Sequence, residues 1–263
     1  MPTMTAYTPG VPCWIDLSTT DREAAMKFYT AVLGWTDYEV SPEEAGFYTM
    51  PRMKDQSVAG MMTQSDDEKN MGVPPHWNTY VRVDSADDAA KKAKELGATV
   101  VVEPMDVMDV GRMAVFLDPE GAGICVWQPN QFPGAEIVNE PGAFIWSEYY
   151  TKDPTAAKAF YTGLFGWNTE TNDGLGGYIE LKVGDRTFGG MMEITAEMGP
   201  VPPNWLVYFA VDDTDAAVEA ATKAGGSAMM GPMDIPQVGR IAVLADPQGA
   251  VFAVIKTAGT PAP

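Results

Sequence analysis

Apolar and polar positions change period several times along this chain. From Pro12 to Ser18 strand-forming residues alternate, the rhythm of a half-buried strand. Thr20-Asp21 then offers a helix N-cap. Ala24, Ala25, Phe28, Val32 and Leu33 follow at helical spacing, and Gly34 stands where a C-cap glycine would. Three short strands are predicted next, over residues 36–40, 46–51 and 58–63. The order then returns: a strand at 79–83, a helix over 85–96 ended by Gly97, and strands at 99–102, 112–117 and 123–128. One strand, one helix and three strands make a module. The chain holds four of them, which predicts an α+β fold of four βαβββ modules.

The second half copies the first. Phe28-Tyr29-Thr30-Ala31-Val32-Leu33-Gly34-Trp35 returns as Phe160-Tyr161-Thr162-Gly163-Leu164-Phe165-Gly166-Trp167, an offset of 132. Ala59-Gly60-Met61-Met62 returns as Gly189-Gly190-Met191-Met192 at 130, and Val73-Pro74-Pro75-His76-Trp77 as Val201-Pro202-Pro203-Asn204-Trp205 at 128. Between 73–129 and 201–257, 24 of 57 positions are identical. This is a duplicated domain whose loops were trimmed while its elements stayed. The expected organisation is a first domain at 1–128, a linker rich in Pro, Gly, Asn and Gln at 129–141, a second domain at 142–256, and a flexible tail at 257–263.

Composition excludes several classes. No run of about 18 apolar residues occurs, and the N-terminus lacks a basic then apolar leader, so neither a membrane span nor a secretory signal is expected. Thirty-six acidic residues against 17 basic ones give a net charge of −19. That balance argues against nucleic-acid and anionic-membrane partners. Cys13 and Cys125 make no disulfide framework, and free thiols suit the cytoplasm. A single histidine, His76, excludes a two-histidine metal triad within the chain. No Walker loop, nucleophile elbow, dinucleotide glycine fingerprint or H-E-x-x-H motif is present.

Three features carry a family resemblance. They are the helix end Phe-Tyr-x-x-x-x-Gly-Trp, the hairpins Asp118-Pro119-Glu120-Gly121-Ala122 and Asp246-Pro247-Gln248-Gly249-Ala250, and the preceding Gly111-Arg112 and Gly239-Arg240. The order of elements resembles the vicinal oxygen chelate superfamily, which includes glyoxalase I, bleomycin-resistance proteins and extradiol dioxygenases. With its Val-Pro-Pro-x-Trp segments, the layout is similar to two-domain actinobacterial members labelled hydroxylase or glyoxalase-like antigen. The resemblance covers residues 12–256 and implies curved mixed sheets that form cups around a substrate. It also implies metal-ligand positions on first and last strands. Those positions hold Trp14 and Trp146, lie near Asn78 and Leu206, and hold Cys125 and Ala253. The last strands of modules one and three carry Met61-Met62 and Met191-Met192. The usual His and Glu set is absent, so the expectation is no cofactor and no metal.

Other residues offer chemistry. Asp16 and Glu148, two residues after Trp14 and Trp146, share a strand face with them and would act as general bases if desolvated in a cup. Otherwise each pairs with an arginine or a backbone amide. Tyr80, Tyr150, Tyr208, Trp127 and Asn78 would complete aromatic walls for a flat ligand, or fill core. Arg112 and Arg240 would clamp a carboxylate or phosphate at a cup mouth, or pair with neighbouring acids. His76 reads as a rim residue, because its repeat partner is Asn204. Cys125, matched by Ala253, reads as a small core residue. Trp35 and Trp167 read as packing residues, and Asp118 and Asp246 as turn residues. Met229-Met230 joins the other methionine pairs as adaptable wall or core. Two functions remain: metal-independent binding of a small aromatic or carbonyl-containing molecule, as in bleomycin-resistance proteins, or a hydroxylase, isomerase or lyase using Asp16 or Glu148. The expected state is a monomer or homodimer with a small-molecule ligand.

Overall fold

The structure, a computed structural model, describes residues 3–43 and 46–259. The last four residues of the expected flexible tail lie outside the described residues. The first domain contains β1 (Pro12–Thr19), α1 (Arg22–Leu33), β2 (Asp37–Val40), β3 (Thr49–Met53), β4 (Gln56–Ser57), β5 (Gly60–Thr63), α2 (Asp66–Asn70), β6 (His76–Arg82), α3 (Ala86–Glu95), β7 (Thr99–Val107), β8 (Gly111–Leu117) and β9 (Gly123–Pro129). The second contains β10 (Phe144–Thr151), α4 (Pro154–Phe165), β11 (Asn168–Asn172), β12 (Tyr178–Val183), β13 (Arg186–Glu193), β14 (Asn204–Ala210), α5 (Thr214–Lys223), β15 (Ser227–Ile235), β16 (Gly239–Ala245) and β17 (Val251–Thr257).

Local signals set the element ends. Asp21 caps α1 through Ala24 N–H, and Gly34 closes it at φ 73°. Asp153 and Gly166 repeat the device on α4. The short α2 has no counterpart in the hydrophobic pattern. It forms on a capping box, Ser65 with Glu68, and buries none of its residues.

Each domain is one mixed sheet. The first runs β2-β3-β5-β1-β6-β9-β8-β7, with β4 beside β3. The second runs β11-β12-β13-β10-β14-β17-β16-β15. Neighbouring modules therefore share a cup, joined by the antiparallel pairs β1–β6 and β10–β14.

The sheets pack back to back, with the helices on the packed side. Trp77 of β6 meets Phe209 of β14 at 5.1 Å between ring centroids, and Thr79 and Ser147 hydroxyls lie 3.2 Å apart. Trp35 is fully buried against Tyr29, Trp77 and Phe209. The Asp-Pro turns are part of this interface. Asp118 Oδ1 accepts Glu120 and Ala122 N–H, and its Oδ2 accepts the second domain's Tyr149 and Tyr161 hydroxyls at 2.5 and 2.8 Å. Asp246 accepts Gln248 and Ala250 N–H in the same way, and Tyr29 from the first domain at 3.1 Å. Trp77 and Trp205 indoles donate in turn to Tyr29 and Tyr161.

Removing one of these hydroxyls leaves a buried acceptor and a buried indole N–H short of a partner. Tyr29→Phe should destabilise the chain by about 1.5–3 kcal/mol, the range for a hydrogen bond to a charged group. Tyr161→Phe should cost less, because Asp118 keeps the Tyr149 donor. Urea unfolding of both variants measures the order.

Candidate functional site

Strand alternation turns Ile15 and Leu17 toward the packed interior and Trp14 and Asp16 into the first cup. The register places Trp14 opposite Tyr80 on β6, and Tyr80 beside Cys125 on β9. Asp16 lies opposite Asn78 on one side and Gly60 of β5 on the other. Asp16 is 1% exposed. Its Oδ1 accepts the Asn78 amide at 3.0 Å, and its Oδ2 accepts Tyr80 and Tyr48 hydroxyls at 2.9 and 3.1 Å. Trp14 Nε1 donates to Tyr48 at 2.8 Å. Burial raises the Asp16 pKa, opposed by these three donors.

The second cup repeats this network with changes. Trp146 pairs with Tyr208, and Glu148 lies between Leu206 and Gly190. Glu148 Oε2 accepts Tyr208, in a short contact, and Tyr150 at 3.5 Å. Tyr178, which accepts from Trp146 Nε1 at 3.0 Å, also interacts with the carboxylate. Burial raises the Glu148 pKa, against the lowering effect of the Tyr208, Tyr178 and Tyr150 hydroxyls. Leu206 replaces Asn78, so this carboxylate receives no amide from β14.

Tyr48 and Tyr178 are functional-site residues that the sequence reading missed. Their shared offset of 130, the same as that of Gly60 and Gly190, was the available signal. The glycines are needed: a Cβ on Gly60 would lie 1.8 Å from the Tyr48 hydroxyl, and one on Gly190 would lie 1.7 Å from that of Tyr178. Met61 and Met191 are fully buried on the opposite face.

Trp127 is buried on the face of β9 that carries Cys125, with Phe132 at 6.2 Å between ring centroids. Arg112 and Arg240 do not face either cup. Met113, opposite Trp127, points inward, which turns Arg112, opposite Gln128, toward α3. Arg112 forks onto Asp87 and reaches Asp106, and Arg240 does the same with Asp215 and Asp234. Their guanidinium groups are already paired at the surface. His76 Nδ1 donates to Pro74 carbonyl, and Asn204 Nδ2 makes the same bond to Pro202, so the exchange preserves one loop contact. Cys125 is buried, and desolvation pushes its thiol pKa well above the usual value, the opposite of an activated nucleophile. Met229 and Met230 are exposed on edge strand β15, outside the core, with Met230 opposite Val243 of β16.

The donor set does not fit the family's divalent metal. The rows Trp14-Tyr80-Cys125 and Trp146-Tyr208-Ala253 offer no imidazole and no carboxylate. Asp16 and Glu148 are already engaged by phenol hydroxyls, and no group of three His, Cys, Asp or Glu suited to a metal occurs among the described residues.

The cups differ in cover. Trp14 is 5% exposed beneath Phe132, whose ring meets it edge-on at 4.9 Å. Trp146 is half-buried, with no ring packed on it among the described residues. A hollow of about 560 Å³ beside α1, lined by Arg22, Met26, Tyr38 and Val40, lies outside both cups and holds no buried carboxylate.

A carboxyl whose folded pKa is raised favours the native state at low pH, and that contribution is lost as pH rises through the folded value. Glu148→Gln should therefore be more stable than the parent at about pH 8, with the gain shrinking toward about pH 4. Urea unfolding across that range checks the sign; a gain that grows on acidification would contradict the assignment.

The profile of the Glyoxalase/Bleomycin resistance protein/Dioxygenase superfamily matches residues 13–126 and again 143–254. "Putative glyoxylase CFP32" of Mycobacterium tuberculosis is 43% identical over 261 residues, covering 98% of this chain and 99% of that one. "Anthracycline biosynthesis protein DnrV" of Streptomyces peucetius is 38% identical over 265 residues, covering 96% and 95%. The 2,3-dioxygenase LapB from Pseudomonas sp. KL28 superposes with a TM-score of 0.65 at 14% identity, over 98% and 96% of the chains. A Mn(II)-bound glyoxalase from Novosphingobium aromaticivorans gives 0.63 at 15%, over 96% and 85%. The structural likeness at such identities is one of fold. With two profile matches on two cups of the same construction, this chain belongs to the Glyoxalase/Bleomycin resistance protein/Dioxygenase superfamily.

Proposed function

We propose that the chain binds one small aromatic or carbonyl-containing organic molecule in the second cup, without a metal ion. The observation that carries this reading is the separate apolar lining of that cup around Glu148. Leu206, Tyr208, Ile241, Ala253 and Ile255 form a cluster apart from the main core, edged by half-buried Trp146 and Tyr150. Apolar walls with a few convergent polar groups suit a flat organic ligand. In the first cup the corresponding lining is continuous with the core. The name of DnrV, an anthracycline biosynthesis protein, supports an aromatic ligand.

A second reading, catalysis with Glu148 as general base, has its own support. Glu148 is a buried carboxylate with no cation bonded to it among the described residues, and its proton affinity is raised by burial. It also lacks the amide that occupies one oxygen of Asp16. A ligand C–H or O–H could be presented to the carboxylate from the side that Asn78 covers in the first cup and Leu206 lines here. Asp16, with both oxygens bonded under the covered Trp14, is the weaker base candidate.

Native mass spectrometry of chelator-treated protein against aromatic carbonyl compounds is the first test, followed by calorimetric titration of whichever compound binds. Trp146→Ala should weaken binding by about 1 kcal/mol or more, as for a lost aromatic contact. Glu148→Gln should cost about 2 kcal/mol, and Trp14→Ala and Asp16→Asn little. Elemental analysis should find no stoichiometric Fe, Zn, Ni or Mn. Four folded variants that bind like the parent, or a tightly held metal whose removal abolishes binding, would overturn the reading.

A further inference from the structure

The segment after β9 is more than a spacer. Backbone N–H groups of Asn130, Gln131 and Phe132 all point at Val110 carbonyl, at 3.0–3.1 Å. Trp127 Nε1 donates to Phe132 carbonyl at 2.8 Å. The chain then presses onto β1. Ala135 N–H donates to Cys13 carbonyl at 2.8 Å, and a Cβ on Gly134 would lie 2.2 Å from that same oxygen. Gly134 has φ 129°, open to glycine and rarely to other residues. Glu136 N–H reaches Ser57 carbonyl, and Tyr7 closes over the strap by donating to Ala135 carbonyl. The Phe132 ring is left edge-on to Trp14 and 6.2 Å from Trp127, at one end of the first cup.

The second cup has the same floor without the two rings. Trp146 stands for Trp14, Val238 for Val110, and Ile255 for Trp127. The chain leaves β17 as it leaves β9, with Ala258 N–H on Val238 carbonyl matching Asn130 on Val110. At the offset of 128 from Phe132, the sequence carries a threonine, Thr260. Where the first cup carries an indole and a phenyl ring, the second has Ile255 and, in sequence, Thr260, beside Val238 and half-buried Trp146.

We infer that Phe132 is a built-in substitute for a ligand ring: it closes the first cup to ligands, and its equivalent place against Trp146 is where the aromatic ring of a bound molecule sits in the second. This rests on the reading that the second cup is a ligand site, and it adds two things to it. It fixes the ligand class as one presenting a planar, uncharged ring edge-on to an indole, since no charged side chain lies between Phe132 and Trp14. It also makes the first cup a latent site that unplugging restores.

The test uses 1-aminoanthracene, a neutral planar fluorophore, titrated into the full chain with sites counted by equilibrium dialysis. The parent should bind about one equivalent, lost in Trp146→Ala. Phe132→Ala should bind about two, the added one lost in Phe132→Ala/Trp14→Ala. Gly134→Ala, which forces the strap off Cys13 without touching the cup lining, should also add a site. Thermal unfolding of each variant verifies that it is folded. If both unplugged variants still bind one equivalent that Trp146→Ala removes, the plug inference is wrong and the second-cup reading stands. If the parent binds none, the second-cup reading fails. The plug is then judged alone: one Trp14-dependent site in Phe132→Ala upholds it, and none overturns it.

Discussion

The back-to-back packing of the two sheets is the constraint on which the rest depends. Its centre is aromatic, but its geometry is fixed by two buried carboxylates that reach across the interface. Asp118 and Asp246 each close their own turn with one oxygen and hold the other domain's tyrosine with the second. A buried carboxylate short of donors costs several times more than an imperfect apolar contact. Each domain therefore supplies part of what the other needs, and the helix-bearing faces are committed to one another. The concave faces can then only look outward, on opposite sides of the molecule. An Asp-Pro turn that reads locally as a backbone device thus decides where both cups open.

Packing of this kind is nearly symmetric, and chain connectivity breaks the symmetry. The peptide must travel from the end of β9 to the start of β10, and its route crosses the first cup. Backbone hydrogen bonds satisfied along the way, to Val110, Cys13 and Ser57, hold it there. After β17 the described residues end at Gly259, with Ala258 N–H on Val238 carbonyl. Duplication supplied two equal cups, and the single covalent link made them unequal: a sealed one whose lining has merged with the core, and one whose lining remains a cluster of its own.

Much of this was legible in the sequence, and the limits have physical causes. The helices were readable because caps and periodicity agree: Asp21 with Gly34, and Asp153 with Gly166. Strand order came from the repeat, and Asp16 and Glu148 from their matching places beside tryptophans. Tyr48 was not found, because it acts through a close approach to Gly60 that exists only once β3 and β1 flank β5. Strand β7 runs five residues beyond its predicted end, its burial interrupted by bulges that blur the alternation. Arg112 and Arg240 could be read as cup-mouth clamps or as partners of neighbouring acids, because a one-residue change in facing sends a side chain to the other side of the sheet, and the structure has the ion pairs. Phe132 was hidden by its neighbours: Pro, Gly, Asn and Gln read as a linker, and composition cannot say that a linker is held down along its length.

The carboxylates show what the asymmetry means for chemistry. Both are buried and both have raised proton affinity, so each carries a cost that a neutral isostere would avoid. In the first cup three donors oppose that cost: Asn78 takes one oxygen, Tyr48 and Tyr80 the other, and a phenyl ring covers the end. Nothing there is left for a ligand to satisfy. In the second cup Leu206 withholds the amide, Ile255 and the missing ring withhold the cover, and Trp146 is half-exposed. Leu206 removes an amide from beside Glu148 and Ile255 removes an indole, while Tyr150, where the first cup has Ser18, adds a hydroxyl to the carboxylate. Glu148, held by tyrosine hydroxyls alone beside a less covered tryptophan, is for that reason the place to seek function before its twin.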